Sequence, residues 1–304
     1  MVLGLVLTFS SNGMSGEMNV FKKKIKLPKD VAQGYKNVWK FGNNFKKKTR
    51  LTPDYAFKIV NKSDDHPVRL GEQSIRFEVR RGDCGVSPGG YNDCDHGSER
   101  HELGMNIDIS SLKGVTWHTY SLFLPKDFPL FGFSHVTMGQ FHGSGDGRPA
   151  FNWNISSDGG YEVQRRTACN LPKNRKKKCS DSWPSNNVQT LIPRKELLGQ
   201  WHDMIFNAKW SLKQNGFLKM WINGKLVYHY IGSNLTPREK EGFIFGIYRG
   251  ATNYTPKEVT QVAYYDEIRY AKKSCKKLKL EDLGYSCSDL ESQTVSRIDK
   301  IKGE

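Results

Sequence analysis

The sequence predicts an all-β chain, an antiparallel β-sandwich of the jelly-roll kind with a few short helices. Three observations predict it. Ile75, Phe77 and Val79 alternate with Arg76, Glu78 and Arg80, the period of two of a strand with one apolar and one charged face. Asn223-Gly224 separates Trp221-Ile222 from Leu226-Val227-Tyr228, and Asn-Gly between apolar runs is the strongest short-range hairpin signal. Helical periodicity is sparse elsewhere, which leaves many strands to pair with one another in sheets.

In chain order, residues 1–20 are expected to be a signal sequence or a disordered leader. Their apolar start, Met1 to Phe9, resembles a signal core without its basic flank. The runs Lys22-Lys23-Lys24 and Lys46-Lys47-Lys48 read as solvated surface. Strands are expected at 75–80, 115–124 and 134–142, and Val136, Met138, Gln140 and His142 are expected to share one face of the last of these. Further strands follow at 201–210, 217–221, 226–228, 242–248 and 261–270. Short helices fit 193–198 and 236–241, the second opening on Thr236 with Pro237 at its first helical position. One domain over 21–285 and a polar C-terminal tail over 286–304 complete the prediction.

The 304 residues carry 47 Lys and Arg against 31 Asp and Glu, a formal charge of +16, which calls for an anionic partner. The 7 Trp, 13 Tyr and 16 Phe argue for a packed core rather than disorder. No apolar run approaches the ~20 residues that span a bilayer, so no membrane partner is expected. The six cysteines form three close pairs, Cys84/Cys94, Cys169/Cys179 and Cys275/Cys287, without zinc spacing, and are read as three disulfides. Together with four N-x-S/T sequons, at Asn61, Asn154, Asn234 and Asn253, they predict a secreted glycoprotein, expected to be a monomer. Nucleic acid is set aside, because the basic run at 173–178 lies inside the Cys169/Cys179 loop and the chain reads as secreted.

Three segments carry candidate chemistry: Arg100-His101-Glu102-Leu103, Gln140-Phe141-His142, and Gly246-Ile247-Tyr248. Alternation puts Arg100 with Glu102, and Gln140 with His142, on common faces. This ordered set resembles the three motifs of jelly-roll polysaccharide lyases of the alginate lyase architecture. The Trp201–Tyr230 stretch and the later Gly-Ile-Tyr-Arg…Tyr-Tyr-Asp-Glu-Ile-Arg are similar to the heparin lyase I-like group, which includes glucuronan lyase relatives. The resemblance spans about residues 70–270. It departs from the alginate pattern at Gly104, Ile244 and Arg249-Gly250, where a second Arg, a Lys and a Gln are usual.

The resemblance implies a concanavalin-like jelly roll that cleaves a uronic-acid-containing polysaccharide such as glucuronan or alginate by β-elimination, leaving unsaturated uronate ends. The C5 proton beside the uronate carboxylate is removed and the bond to O4 breaks, so the carboxylate must be neutralised, a base supplied and the leaving oxygen protonated. His142, Tyr248, Gln140 and Arg100 are the implied catalytic residues. His142 is the candidate base; Tyr248 is the candidate acid, or both acid and base if a cation depresses its phenol. Arg80, Glu102, Asn152, Arg165, Arg166 and Arg249 are the implied substrate contacts, the arginines because a guanidinium fork matches a carboxylate. No metal or other cofactor is required by this chemistry, although Asp93 and Asp95 beside Gly97 form an acidic loop that could take Ca²⁺. The alternative is a non-catalytic, lectin-like jelly roll that binds acidic polysaccharide through Trp and Lys. A glycoside hydrolase is disfavoured by the lack of paired carboxylates on one strand.

Overall fold

A computed structural model describes residues 24–25, 27–33, 38–41, 53–85, 92–105, 114–130, 135–142, 149–165, 188–211, 213–234, 242–250, 259–295 and 299–300. The leader 1–20, the helix expected at 236–241, Cys169, Cys179, the basic run at 173–178, Arg166 and Asn253 lie outside these residues. The strands are β1 (Lys24–Ile25), β2 (Ala32–Gln33), β3 (Val38–Phe41), β4 (Phe57–Asn61), β5 (Gln73–Val79), β6 (Glu99–Met105), β7 (Val115–Phe123), β8 (Val136–His142) and β9 (Phe151–Ile155). They continue as β10 (Tyr161–Arg165), β11 (Val188–Ile192), β12 (Trp201–Lys209), β13 (Phe217–Ile222), β14 (Lys225–Ile231), β15 (Gly242–Arg249), β16 (Gln261–Lys272) and β17 (Asp299–Lys300). Two short helices, α1 (Arg194–Leu197) and α2 (Cys287–Ser292), are added to them.

Among the described residues the strands form two sheets. The first runs β1-β3-β6-β15-β8-β9-β10-β11; the second runs β17-β14-β13-β12-β7-β16-β5-β4, with β2 beside β16. Neighbours are antiparallel except β14 with β17 and β16 with β2. The sheets face one another across one apolar core, in which Phe243, Phe245 and Ile247 of β15 meet Tyr120 and Leu122 of β7 and Phe206 of β12. Alternation therefore does what the sequence predicts: odd-numbered residues of β15 enter the core and even-numbered ones leave it. At the β13–β14 turn, Asn223 and Gly224 both have positive φ, 49° and 78°, as the two-residue hairpin turn requires.

The C-terminal segment packs where a polar tail is expected. Residues 275–292 lay Cys275, Leu278, Leu280, Leu283, Cys287 and Leu290 over Trp117, Ile205 and Trp221 on the outer face of the second sheet. Trp117 and Trp221 stack at 5.6 Å, and Trp221 Nε1 donates to Leu290 O at 3.1 Å. The Cys275–Cys287 disulfide, which spans the expected boundary at 285, ties this layer together, and Cys84–Cys94 forms the second described disulfide. Glycosylation has less room than the sequons suggest. Asn154 is fully buried, and Asn234 is buried with its amide bonded to Lys209 O and Phe217 O.

The core also buries His118, against Phe141, Phe243 and Tyr270. Burial lowers its pKa to about 3. A depressed histidine leaves the native state binding fewer protons than the unfolded chain below pH ~6.5, so stability is lost as pH falls from there toward the folded value. Thermal unfolding from pH 7.5 to 4.5 should show this loss, at up to about 1.4 kcal/mol per pH unit. His118→Gln should flatten the slope, and an unchanged slope would contradict the assignment.

Candidate active site

The candidate residues gather on the face of the first sheet turned away from the core, across β6, β15, β8 and β9. Arg100 lies opposite Tyr248, Tyr248 opposite Thr137, and Thr137 opposite Asn154. One row over, Glu102 lies opposite Gly246; beyond it Gln140 lies between Ile244 and Asn152. Cross-strand neighbours share a face, so pairing alone brings these side chains together.

Arg100 organises the site. Its Nε and Nη2 donate to the two oxygens of Asp93, each at 2.6 Å, and its Nη1 donates to Glu102 Oε2 at 3.3 Å. Glu102 Oε1 accepts from Gln140 Nε2 at 2.7 Å. The guanidinium carbon stands 4.0 Å from the centroid of the Tyr248 ring, a cation–π contact. Arg100 nonetheless keeps 21% of its side chain exposed, whereas Asp93 and Glu102 are buried. Burial pushes the Glu102 carboxyl up, opposed by Arg100 and by the Gln140 amide. Burial works against the charge on Arg100, but Glu102 and Asp93 outweigh it and raise its pKa. The loop at 92–97, where the sequence leaves Ca²⁺ possible, supplies one partner of Arg100. Asp93 is committed to Arg100, and among the described residues no group of three or more His, Cys, Asp or Glu is placed to hold a metal ion.

Two adjacent bulges aim the site. Between Phe245 and Tyr248, β15 has one residue more than β8, and between Thr137 and Gly139, β8 has one more than β9. The consequence is a change of face within β8. Val136 and Met138 are buried in the core, while Gln140 bonds to Glu102 on the opposite side, so the expectation that all four residues 136, 138, 140 and 142 share a face is corrected. Tyr265 crosses the core from β16 and places its hydroxyl 2.7 Å from both Met138 O and Gly246 O, meeting carbonyls at the point where the ladder is irregular. Gly246 has φ +133°, and a Cβ there would stand 2.4 Å from His101 O and 2.7 Å from Glu102 Cα. The glycine of the Gly-x-Tyr motif is therefore required by the backbone.

Tyr248 is half-buried; its hydroxyl donates to Ser98 Oγ at 3.1 Å, and its ring meets His135 edge-on. His142, half-buried, lies opposite Gly242 at the far end of β8. It is five positions from Thr137, the partner of Tyr248, which is roughly 16 Å of strand at ~3.3 Å per residue. Asn152 Nδ2 donates to Asn154 Oδ1 at 2.9 Å, and Thr137 Oγ1 donates to the same oxygen at 2.7 Å.

Three of the expected substrate-binding arginines do not reach this face. Arg249 is buried on the core-facing side of β15, its Nε bonded to Glu99 Oε2 at 2.7 Å and its Nη1 to Val259 O at 3.1 Å. Arg165 follows Tyr161 and Val163 toward the core and covers the Tyr230 ring at 4.6 Å. Arg80 ends the apolar–charged strand of the second sheet, paired with Glu78 and lying 3.7 Å from the centroid of Tyr55. A charged residue on a strand is as readily consumed by an internal ion pair as offered to a ligand, and sequence does not distinguish the two. Conversely, Asp93, Ser98, Thr137, Asn154 and His135 escaped the sequence reading as site residues. Asn154 carried a signal, since it sits two places after Asn152 and so on the same face.

Residues 59–269 match the family model described as polysaccharide lyase, so the chain belongs to the polysaccharide lyase family, a family of enzymes. No curated protein matches the chain by sequence. Among solved structures it is similar to the endo-β-1,4-glucuronan lyase of the fungus Trichoderma reesei, at a TM-score of 0.53 and 14% identity, over 80% of this chain and 94% of that one. That likeness shows the jelly-roll fold. The chain is also similar to the alginate lyase AlgAT5 of polysaccharide lyase family 7 (TM-score 0.49, 14% identity, 81% of this chain and 98% of the other).

The tightest test of this geometry is Asp93→Ala, which leaves the Arg100 guanidinium held only by Glu102. A buried charge that loses its partner costs roughly 3–5 kcal/mol, so a clear fall in melting temperature is expected. Unaltered stability would show that the Asp93–Arg100 pair does not anchor the loop.

Proposed function

We propose that this enzyme cleaves a uronic-acid-containing polysaccharide by β-elimination on the Arg100–Tyr248 face, with glucuronan the first substrate to test. The observation that carries the reading is the hydrogen-bonded row Asp93–Arg100–Glu102–Gln140 standing over the half-buried phenol of Tyr248. The glucuronan lyase among its structural neighbours supports the choice of first polymer.

In this reading the open edge of Arg100 and the amide of Gln140 receive the substrate carboxylate and so favour the charge that develops when C5 loses its proton. Glu102 holds both groups and is a positioning residue. Tyr248, entering as the phenolate, takes the C5 proton and returns it to O4 as the C4–O4 bond breaks, leaving a C4=C5 double bond and the phenolate again. A single proton carrier fits the register better than a His142–Tyr248 relay, because the strand separates those two residues. His142 then contacts a neighbouring sugar at the other end of the same face. Asn152 and Asn154 line the next strand with neutral amides. The described disulfides support an oxidising, extracellular setting.

The test is ultraviolet absorbance over time with glucuronan, polymannuronate, polyguluronate and heparin. The double bond absorbs and hydrolysis products do not, so a rise identifies both the reaction and the substrate. No rise with any polymer, with retention on an acidic-polysaccharide column, would favour the non-catalytic alternative. Tyr248→Phe should lower kcat at least ~10³-fold with little change in melting temperature. His142→Ala should act mainly on KM, and an equal loss of kcat would make His142 the base.

A further inference from the structure

The segment that closes over the outer face of the second sheet is divided by charge. Its first part, 272–279, carries Lys272, Lys273, Lys276, Lys277 and Lys279 and no acid. Its second part, 280–292, carries Glu281, Asp282, Asp289 and Glu291 and no Lys or Arg. The Cys275–Cys287 disulfide joins the two parts, yet they do not neutralise one another. All five lysines are exposed, and none makes an ion pair among the described residues; Asp282 lies 3.8 Å from Arg269 instead.

The backbone turns these side chains outward. A 3₁₀ turn over Cys275–Leu278 has a period of three, so Cys275 and Leu278 enter the apolar layer over Trp117 while Lys276 and Lys277 leave it. Lys273 N donates to Val115 O at 2.8 Å and fixes the entry of the turn against β7. Arg269 Nη1 donates to Leu278 O at 2.9 Å and to Lys279 O, and fixes its exit. Lys273 and Lys279 stand in the left-handed region, at φ 69° and 55°, where glycine or asparagine carries less strain. On β12, Lys209 lies opposite the same Val115, and its alternation with Ile205 adds it to this outer face.

We propose that this lysine patch is a second polysaccharide-binding surface, which holds an acidic stretch of the polymer without cleaving it. Another stretch of the same polymer lies meanwhile on the Arg100–Tyr248 face. The proposal rests on the reading of the substrate as a polyuronate. The two surfaces are on opposite outer faces of the sandwich, so a sugar held by the lysines is out of reach of Tyr248. An ammonium is a point charge on a flexible stem and pairs with a carboxylate in many orientations, which suits holding a chain that must slide. Each stretch held there raises the effective concentration of the remainder at the catalytic face, provided the polymer is long enough to reach both.

Lys272→Gln/Lys276→Gln/Lys277→Gln tests this, because it spares both left-handed positions and every candidate catalytic residue. The control is Lys58→Gln/Lys62→Gln/Lys126→Gln, which removes the same charge from exposed lysines outside the patch. The patch variant should elute from a heparin column at lower salt than the control, a readout that needs no turnover. Its KM for long glucuronan should rise roughly 10-fold with kcat held, while its KM for a glucuronan tetrasaccharide stays where it was. Equal elution of the two variants, an unmoved KM on the polymer, or an equal rise on the tetrasaccharide would each overturn the proposal. Earlier elution of the patch variant in a protein that cleaves no polyuronate would instead uphold the surface and overturn the functional reading.

Discussion

The site depends on one buried ionic constraint, the guanidinium of Arg100 held between Asp93 and Glu102. A charge removed from water is tolerable only when its partners are in place, and here every donor direction of the guanidinium but its exposed edge is used. The constraint propagates in three directions. Asp93 fixes the loop closed by the Cys84–Cys94 disulfide. Glu102 passes the restraint to Gln140 on β8, two strands away across the sheet. The Tyr248 ring lies against the face of the guanidinium. Side chains carried by three different strands are thereby set relative to one another.

The backbone supplies the second condition. An unbroken ladder would keep one alternation from end to end of β8, and Gln140 would then point wherever Val136 and Met138 point. The bulges break that alternation, and Tyr265 and Gly246 make the break tolerable, one by meeting the carbonyls at the irregularity and the other by having no Cβ to collide with β6. Core and site are thus coupled, since a residue of the second sheet shapes the strand that presents Tyr248.

Much of this was legible in the sequence, and the reasons for the exceptions are physical. Alternation at 75–79, the Asn223-Gly224 turn and the order of the three motifs are local signals, and they placed the sandwich and brought Arg100, Glu102, Gln140 and Tyr248 to one face. The inversion of face at Met138 was not legible, because a bulge is set by neighbouring strands rather than by the residues that form it. Arg249, Arg165 and Arg80 look alike in sequence to a ligand-binding arginine, and the arrival of Glu99, Tyr230 and Tyr55 from distant parts of the chain engages each of them within the fold. The packed segment at 275–292 was read as ending at a polar tail because its apolar residues are spaced among charges, and its counterpart, Trp117 with Trp221, lies far away in the chain.

The most direct test of the central claim is a crystal structure of the Tyr248→Phe variant with a glucuronan oligosaccharide. The account predicts sugar on the outer face of the first sheet, with one uronate carboxylate at the exposed edge of Arg100 and the Gln140 amide, and with C5 of that sugar over the substituted ring at position 248. An ordered oligosaccharide lying elsewhere, or one whose carboxylate avoids Arg100, would contradict it.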